Sequence, residues 1–97
     1  MQTEISPKEL KKDIESGKPL TILDVREEWE YASGHIKDSV NISVRELGRV
    51  AKLPKDIPVI TVCEHGIRSE HARKVLAQLG YSARTLSGGM EAWRSMK

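Results

Sequence analysis

The stretch P-V-I-T-V, residues 58–62, limits the possible folds more than any other part of the chain. Past its proline every residue is β-branched, and apolar side chains fall on both faces instead of alternating with polar ones. A strand of that kind is covered from both sides, which is the environment of a parallel sheet. Parallel neighbours require a crossover between them, usually a helix. One follows at once. Residues 69–80 read S-E-H-A-R-K-V-L-A-Q-L-G, with Ala72, Val75, Leu76 and Leu79 at i, i+3, i+4 and i+7 and Gly80 as the stop.

The rest of the chain repeats the alternation. Ser6-Pro7-Lys8-Glu9 opens a helix: a capping serine, a proline at the first helical position, and a glutamate that completes a capping box. Leu10 and Ile14 share one face of it, and Ser16-Gly17 ends it. Residues 20–24 form an apolar strand ending at Asp24, and residues 27–33 a short helix closed by Gly34. A short strand over 40–42, a short helix over 44–52 and a strand over 84–86 follow. The turn Ser87-Gly88-Gly89 then leads into a helix carrying Met90 and Trp93. This order predicts an α/β fold with a central parallel sheet and helices on both faces. With no repeat and no linker-like stretch, residues 1–97 are expected to form a single domain.

Composition narrows the partners. Two Trp, two Tyr and no Phe leave the core to aliphatic side chains. A net charge of +2, with the charges interspersed, provides no basic stripe for a nucleic acid. No apolar run approaches the ~20 residues that span a bilayer, and the N-terminal residues lack the apolar region expected of a signal peptide. The single cysteine, Cys63, cannot form an internal disulfide, which fits a reducing, cytoplasmic setting. With no obvious exposed apolar stripe, a monomer is expected.

Cys63 sits where the buried strand meets the following helix, in V-C-E-H-G-I-R-S, residues 62–69. Two readings compete. A strand-end cysteine is commonly a small core filler. In open α/β sheets, however, ligands bind beyond the carboxyl ends of the strands. Unpaired N–H groups at the helix start point into that turn, and Gly66 permits a bend that gathers several of them into a nest. Such a nest favours thiolate, the reactive form of cysteine. The strand before, the helix after, and Gly66 with Arg68 favour the nucleophile. A helix dipole contributes only ~0.3–2 kcal/mol, so direct N–H donation across residues 64–69 has to supply the rest.

At this point three segments resemble the rhodanese family. L-D-V-R-E-E-W-E-Y-A-S-G-H-I, residues 23–36, resembles its first signature; V-C-E-H-G-I-R-S resembles its active-site loop, C-x-x-G-x-R; L-S-G-G-M-E-A-W, residues 86–93, resembles its closing motif. They occur in family order and spacing and cover nearly the whole chain. The resemblance implies a rhodanese-like fold and a sulfurtransferase that moves a sulfane sulfur from a donor (thiosulfate, polysulfide or persulfide) to a thiol or cyanide. Carried onto this chain, it implies Cys63 as nucleophile and persulfide carrier, with Glu64, His65, Gly66, Ile67, Arg68 and Ser69 as the substrate cradle. It implies no cofactor and no metal. Its partners are a small sulfur donor and a thiol or cyanide acceptor, a thiol protein among the candidates.

One position departs from the pattern. Many single-domain members carry a basic residue directly after the cysteine, where this chain has Glu64. A carboxylate there is expected to repel the thiosulfate dianion, with His65 offsetting it when protonated. Asp24 and Arg26 read as structural residues near the site, Asp24 fixing the loop backbone or pairing with Arg68. His35 reads as a structural hydrogen-bonder and His71 as a solvated helix residue. Gly88-Gly89 reads as a tight turn, and Trp29 and Trp93 as packing residues at element ends. Two other functions remain open: a phosphatase or arsenate reductase on the same fold, and a non-catalytic interaction module. The first needs one more residue between Cys and Arg than the four found here. The second usually lacks the cysteine.

Overall fold

The structure, a computed structural model, describes residues 2–96. Among them, β1 (Glu4–Ile5), β2 (Thr21–Asp24), β3 (Val40–Asn41), β4 (Val59–Val62) and β5 (Ala83–Leu86) form one sheet in the order β1-β5-β4-β2-β3. Every pairing is parallel. The helices are α1 (Pro7–Glu15), α2 (Glu28–Ala32), α3 (Ile67–Gln78) and α4 (Gly89–Ser95), with a 3₁₀ segment over Val44–Lys52. No helix among the described residues is long and apolar enough to cross a membrane.

The predicted buried strand is the central one, β4, paired with β2 through Leu23↔Thr61 and with β5 through Thr61↔Thr85. Period-two alternation sends its side chains to two separate cores. Val59 and, one residue past the strand, Cys63 join Leu23, Val25, Ala72, Leu76 and Tyr81 on the α3 face. Ile60 and Val62 join Ile5, Leu10, Ile22, Leu86 and Met90 on the face covered by α1 and α4. Chain order leaves β2 toward β3 on one side and β4 toward β5 on the other. The switch in strand order therefore falls between β2 and β4, the position where such sheets bind ligands.

Several elements differ from expectation. The strand β1 and its pairing with β5 lie outside the sequence expectation because two residues carry no periodicity, although Ile5 is buried. The helix expected over 44–52 is 3₁₀ with a break at Glu46, whose N–H bonds Ser43 three residues back at 2.8 Å. Helix α3 starts at Ile67, and its buried stripe is Ser69, Ala72 and Leu76, while Val75 is half-buried and Leu79 exposed. A twelve-residue helix is about 18 Å long and a four-residue strand about 13 Å, so the last turn overhangs the sheet. On α1 the expected Leu10–Ile14 face is Leu10 with Asp13, and Ile14 is exposed.

The glycine pair of the closing motif forms the expected turn. Gly88 (φ +72) caps α4, and Gly89 (φ +61) begins it. The first free N–H groups of α4 are not spent on a ligand. Met90 N donates to the Cys63 carbonyl at 2.8 Å and Glu91 N to the Glu64 carbonyl at 3.1 Å. A Cβ on Gly89 would run into those same two carbonyl oxygens. Gly89→Ala is therefore expected to destabilise the fold by about 2 kcal/mol or more, from left-handed strain plus the steric conflict. Urea titration of the variant against wild type measures it.

Candidate active site

Cys63 combines the burial of a core filler with the N–H contacts that the nucleophile reading calls for. Its side chain is 1% exposed and packs in the α3-side core. Its sulfur also accepts N–H bonds from Gly66 at 3.0 Å and Ser69 at 3.3 Å. Of the loop amides expected to converge, these two reach Sγ. Gly66, at φ +105, makes the bend that brings its own N–H round to the sulfur and serves as the N-cap of α3.

Behind the sulfur lies a layer of buried hydroxyls. The Cys63 thiol donates to Ser69 Oγ at 3.4 Å, and Ser69 Oγ lies 2.6 Å from Thr85 Oγ1. Thr61 Oγ1 donates to the Ser69 carbonyl at 2.9 Å, and Thr85 Oγ1 reaches the Thr61 carbonyl at 3.5 Å. These residues share a face because Thr61 and Thr85 are register partners and Ser69 starts the buried stripe of α3. When sulfur is negative, Ser69 can turn its proton toward it while Thr85 donates to Ser69. Thr61 and Thr85 belong to none of the three motifs; Thr61 is marked only as the one polar residue of an otherwise apolar strand, and Thr85, next to Arg84, lacks even that contrast.

The charged members of the expected cradle turn away from the sulfur. The Arg68 guanidinium grips Glu30 of α2 with both nitrogens, at 2.6 and 2.9 Å. Asp24 pairs with Arg26 rather than Arg68. Arg26 Nε lies 3.0 and 3.1 Å from the two Asp24 oxygens and Nη2 lies 2.8 Å from one of them, with both side chains buried. The two residues are two apart in sequence at the end of β2, so this pair is local and costs little chain ordering. Arg26 Nη2 also donates to the Gly34 carbonyl at 2.8 Å, and Asn41 Nδ2 donates to the carbonyls of Asp24 and Arg26.

Glu64 is not the bare carboxylate expected at the pocket mouth. Arg94, one residue past the closing motif, holds both its oxygens at 2.6 and 3.1 Å, and Arg26 Nη1 lies 3.6 Å away. The Arg94 hydrogen bonds keep the Glu64 carboxyl below the usual range, against the opposing effect of burial. His65 is paired with Glu91 at 2.7 Å, both well exposed. Ile67, next to Arg68 in sequence, is 82% exposed, and Trp29, next to Glu30, is 72% exposed. Trp29 is thus no packing residue, whereas Trp93 is half-buried against the core. His35 does act structurally, its Nδ1 2.8 Å from the Tyr31 carbonyl and its ring stacked on Tyr31. His71 is exposed on α3.

The family model of the rhodanese-like domain matches residues 6–96, and the chain belongs to that family. It is 36% identical over 91 residues to YtwF of Bacillus subtilis (strain 168), which bears the name of a sulfurtransferase, with 93% of this chain and 88% of that protein covered. It is 34% identical over 94 residues to the thiosulfate sulfurtransferase GlpE of Pseudomonas paraeruginosa, covering 95% and 84%. The crystal structure of a rhodanese-related protein from Thermoplasma volcanium matches with a TM-score of 0.86 at 35% identity, covering 95% of this chain and 90% of that one.

Two predictions follow from these contacts. Thr85→Val keeps the shape and removes the hydroxyl behind Ser69. It is expected to slow alkylation of Cys63 by iodoacetamide about fivefold at neutral pH, the scale of one hydrogen bond of ~1 kcal/mol, and Thr85→Ser to restore the rate. The second concerns Glu30, whose carboxyl is pushed down to about 2 by its bonds to Arg68, with the Glu27 N–H assisting. The unfolded carboxyl takes its proton near 4.5, before the folded one does. The pair therefore stabilises the fold fully above that pH, and the contribution is lost as pH falls toward 2. Urea titrations through that interval should show wild type losing more stability than Glu30→Gln.

Proposed function

We propose that the chain is a sulfurtransferase that carries a sulfane sulfur as a persulfide on Cys63. The observation that carries this reading is the Cys63 sulfur at the carboxyl end of β4, held by the Gly66 and Ser69 N–H groups over a layer of hydroxyls. The thiolate attacks the outer sulfur of the donor. A Sγ–S bond forms, the donor's S–S bond breaks, and sulfite or a thiolate leaves with the electron pair. A thiol or cyanide then attacks the outer sulfur of the persulfide and restores the thiolate. This is covalent catalysis in two steps with no general base, the cysteine attacking as its thiolate. The N–H donors are fixed before the reaction and serve sulfur at the stage when it bears charge.

Its relatives support the same reading, since YtwF and GlpE carry sulfurtransferase names over nearly all of this chain. The phosphatase reading fares worse. A phosphoryl group needs an arginine to clamp its oxygens, and here Arg68 is committed to Glu30. A sulfur atom is also small enough for a nucleophile that is 1% exposed. Intact-mass measurement after exposure to thiosulfate, polysulfide and an organic persulfide in turn tests the assignment. One added sulfur atom on Cys63, removed by cyanide, is the expected result. Cys63→Ser should fold, as judged by circular dichroism, and take up none. Comparable turnover by that variant would falsify the assignment.

A further inference from the structure

Four charged side chains from three segments alternate in sign beside the catalytic loop: Asp24, Arg26, Glu64 and Arg94. Arg26 is satisfied on Nε and Nη2 by Asp24 and Gly34, and its Nη1 faces Glu64 at 3.6 Å. Arg94 turns both terminal nitrogens to the same carboxylate. Two guanidinium groups thus converge on one planar oxyanion, a geometry in which a carboxylate, sulfate or sulfonate would be bound by any protein. Here the oxyanion is supplied from within, by the residue next to the nucleophile, whose Cα is about 3.8 Å from that of Cys63. Arg26, Glu64 and Arg94 line a groove of about 260 Å³ with Trp29, Glu30 and Ser33.

We propose that Glu64 determines donor specificity: its carboxylate fills an oxyanion position between Arg26 and Arg94, so the protein selects organic persulfides over donors whose leaving group is a sulfonate-type anion. The proposal rests on the reading of Cys63 as sulfur acceptor and names the donor class for it. With an organic persulfide R–S–SH, the Cys63 Sγ–S bond forms as the donor's S–S bond breaks. The electron pair departs on the organic thiolate, the outer sulfur keeps its proton, and nothing is oxidised or reduced overall. The leaving group carries one charge and no oxyanion. It does not compete with Glu64, and the exposed Trp29 ring offers its organic part an apolar wall. Thiosulfate must leave as sulfite, an oxyanion, and the neighbouring pair of guanidinium groups that could receive it is already filled by Glu64.

The test compares wild type, Glu64→Gln, Arg94→Gln and the double variant with thiosulfate and with a short uncharged alkyl persulfide. Sulfate binding by NMR titration is the readout that needs no turnover. Glu64→Gln is expected to bind sulfate about tenfold more tightly than wild type, and to raise the thiosulfate-to-persulfide ratio of kcat/KM by a similar factor through KM. That is the scale of one charge-assisted hydrogen bond. The gain should shrink with ionic strength and vanish in the double variant. Arg94→Gln alone leaves the Glu64 charge less compensated and should lower the ratio, which keeps the idea testable if Glu64→Gln folds poorly. An unchanged ratio and unchanged sulfate affinity in folded variants would overturn it. Failure of wild type to take sulfur from either donor would instead sink the sulfurtransferase reading itself.

Discussion

The arrangement around Cys63 depends on a buried guanidinium. Arg26 has 1% of its side chain exposed. A charge taken out of water is tolerated only when its N–H groups are matched and an opposite charge lies alongside. The matching partners come from separate segments: Asp24 at the end of β2, the Gly34 carbonyl after α2, and Glu64 in the loop after β4. Asn41 of β3 then closes over the carbonyls on either side of Val25. Removing one partner of such a pair typically costs ~3–5 kcal/mol, because the other charge stays buried. The loops at the carboxyl edge are therefore held in register with one another by a group that cannot be left alone.

The second constraint is the alternation of β4. Because Val59, Thr61 and Cys63 point one way and Ile60 and Val62 the other, the cysteine can only emerge on the α3 face. That face carries α3's N-terminus, the Gly66 bend, and the hydroxyls of Ser69 and Thr85. A shift of one residue would send the sulfur into the α1–α4 core, where Ile5, Leu10 and Met90 offer it no donor. The αL turn at Gly88 and Gly89 acts from that other side. It lets α4 donate to the carbonyls of Cys63 and Glu64, so both helix starts serve the same loop, one through sulfur and one through backbone.

Features set by local pattern were legible in the sequence. The central strand, the capping of α1 by Ser6, the glycine turn before α4 and the strand-end position of Cys63 all follow from residue type and spacing within a few positions. Features set by what arrives from elsewhere were not. Arg68 was read toward the sulfur because no local rule shows Glu30, 38 residues earlier, waiting for it. Glu64 was read as unpaired because its partner lies 30 residues on. Trp29 was assigned to packing by its size alone, but α2 is a five-residue helix with no buried residue, and its tryptophan stays in solvent. Thr85 carried only the faint signal of a hydroxyl in a strand, and its meaning needed the register with Thr61.

These long-range pairings leave a charge pattern with its own consequence. Arg26, Arg68 and Arg94 each face a carboxylate, so the cations near the loop exert little net pull on an incoming anion. What remains aimed at the sulfur is dipolar: two N–H groups and a hydroxyl. Dipoles fixed by a strand end, a helix start and a glycine bend are in place in advance, and they need no counter-ion. Burial makes each of them stronger than it would be in water. Burial also penalises a charged sulfur, so on the proposed reading the buried position of Cys63 is what makes these few donors necessary.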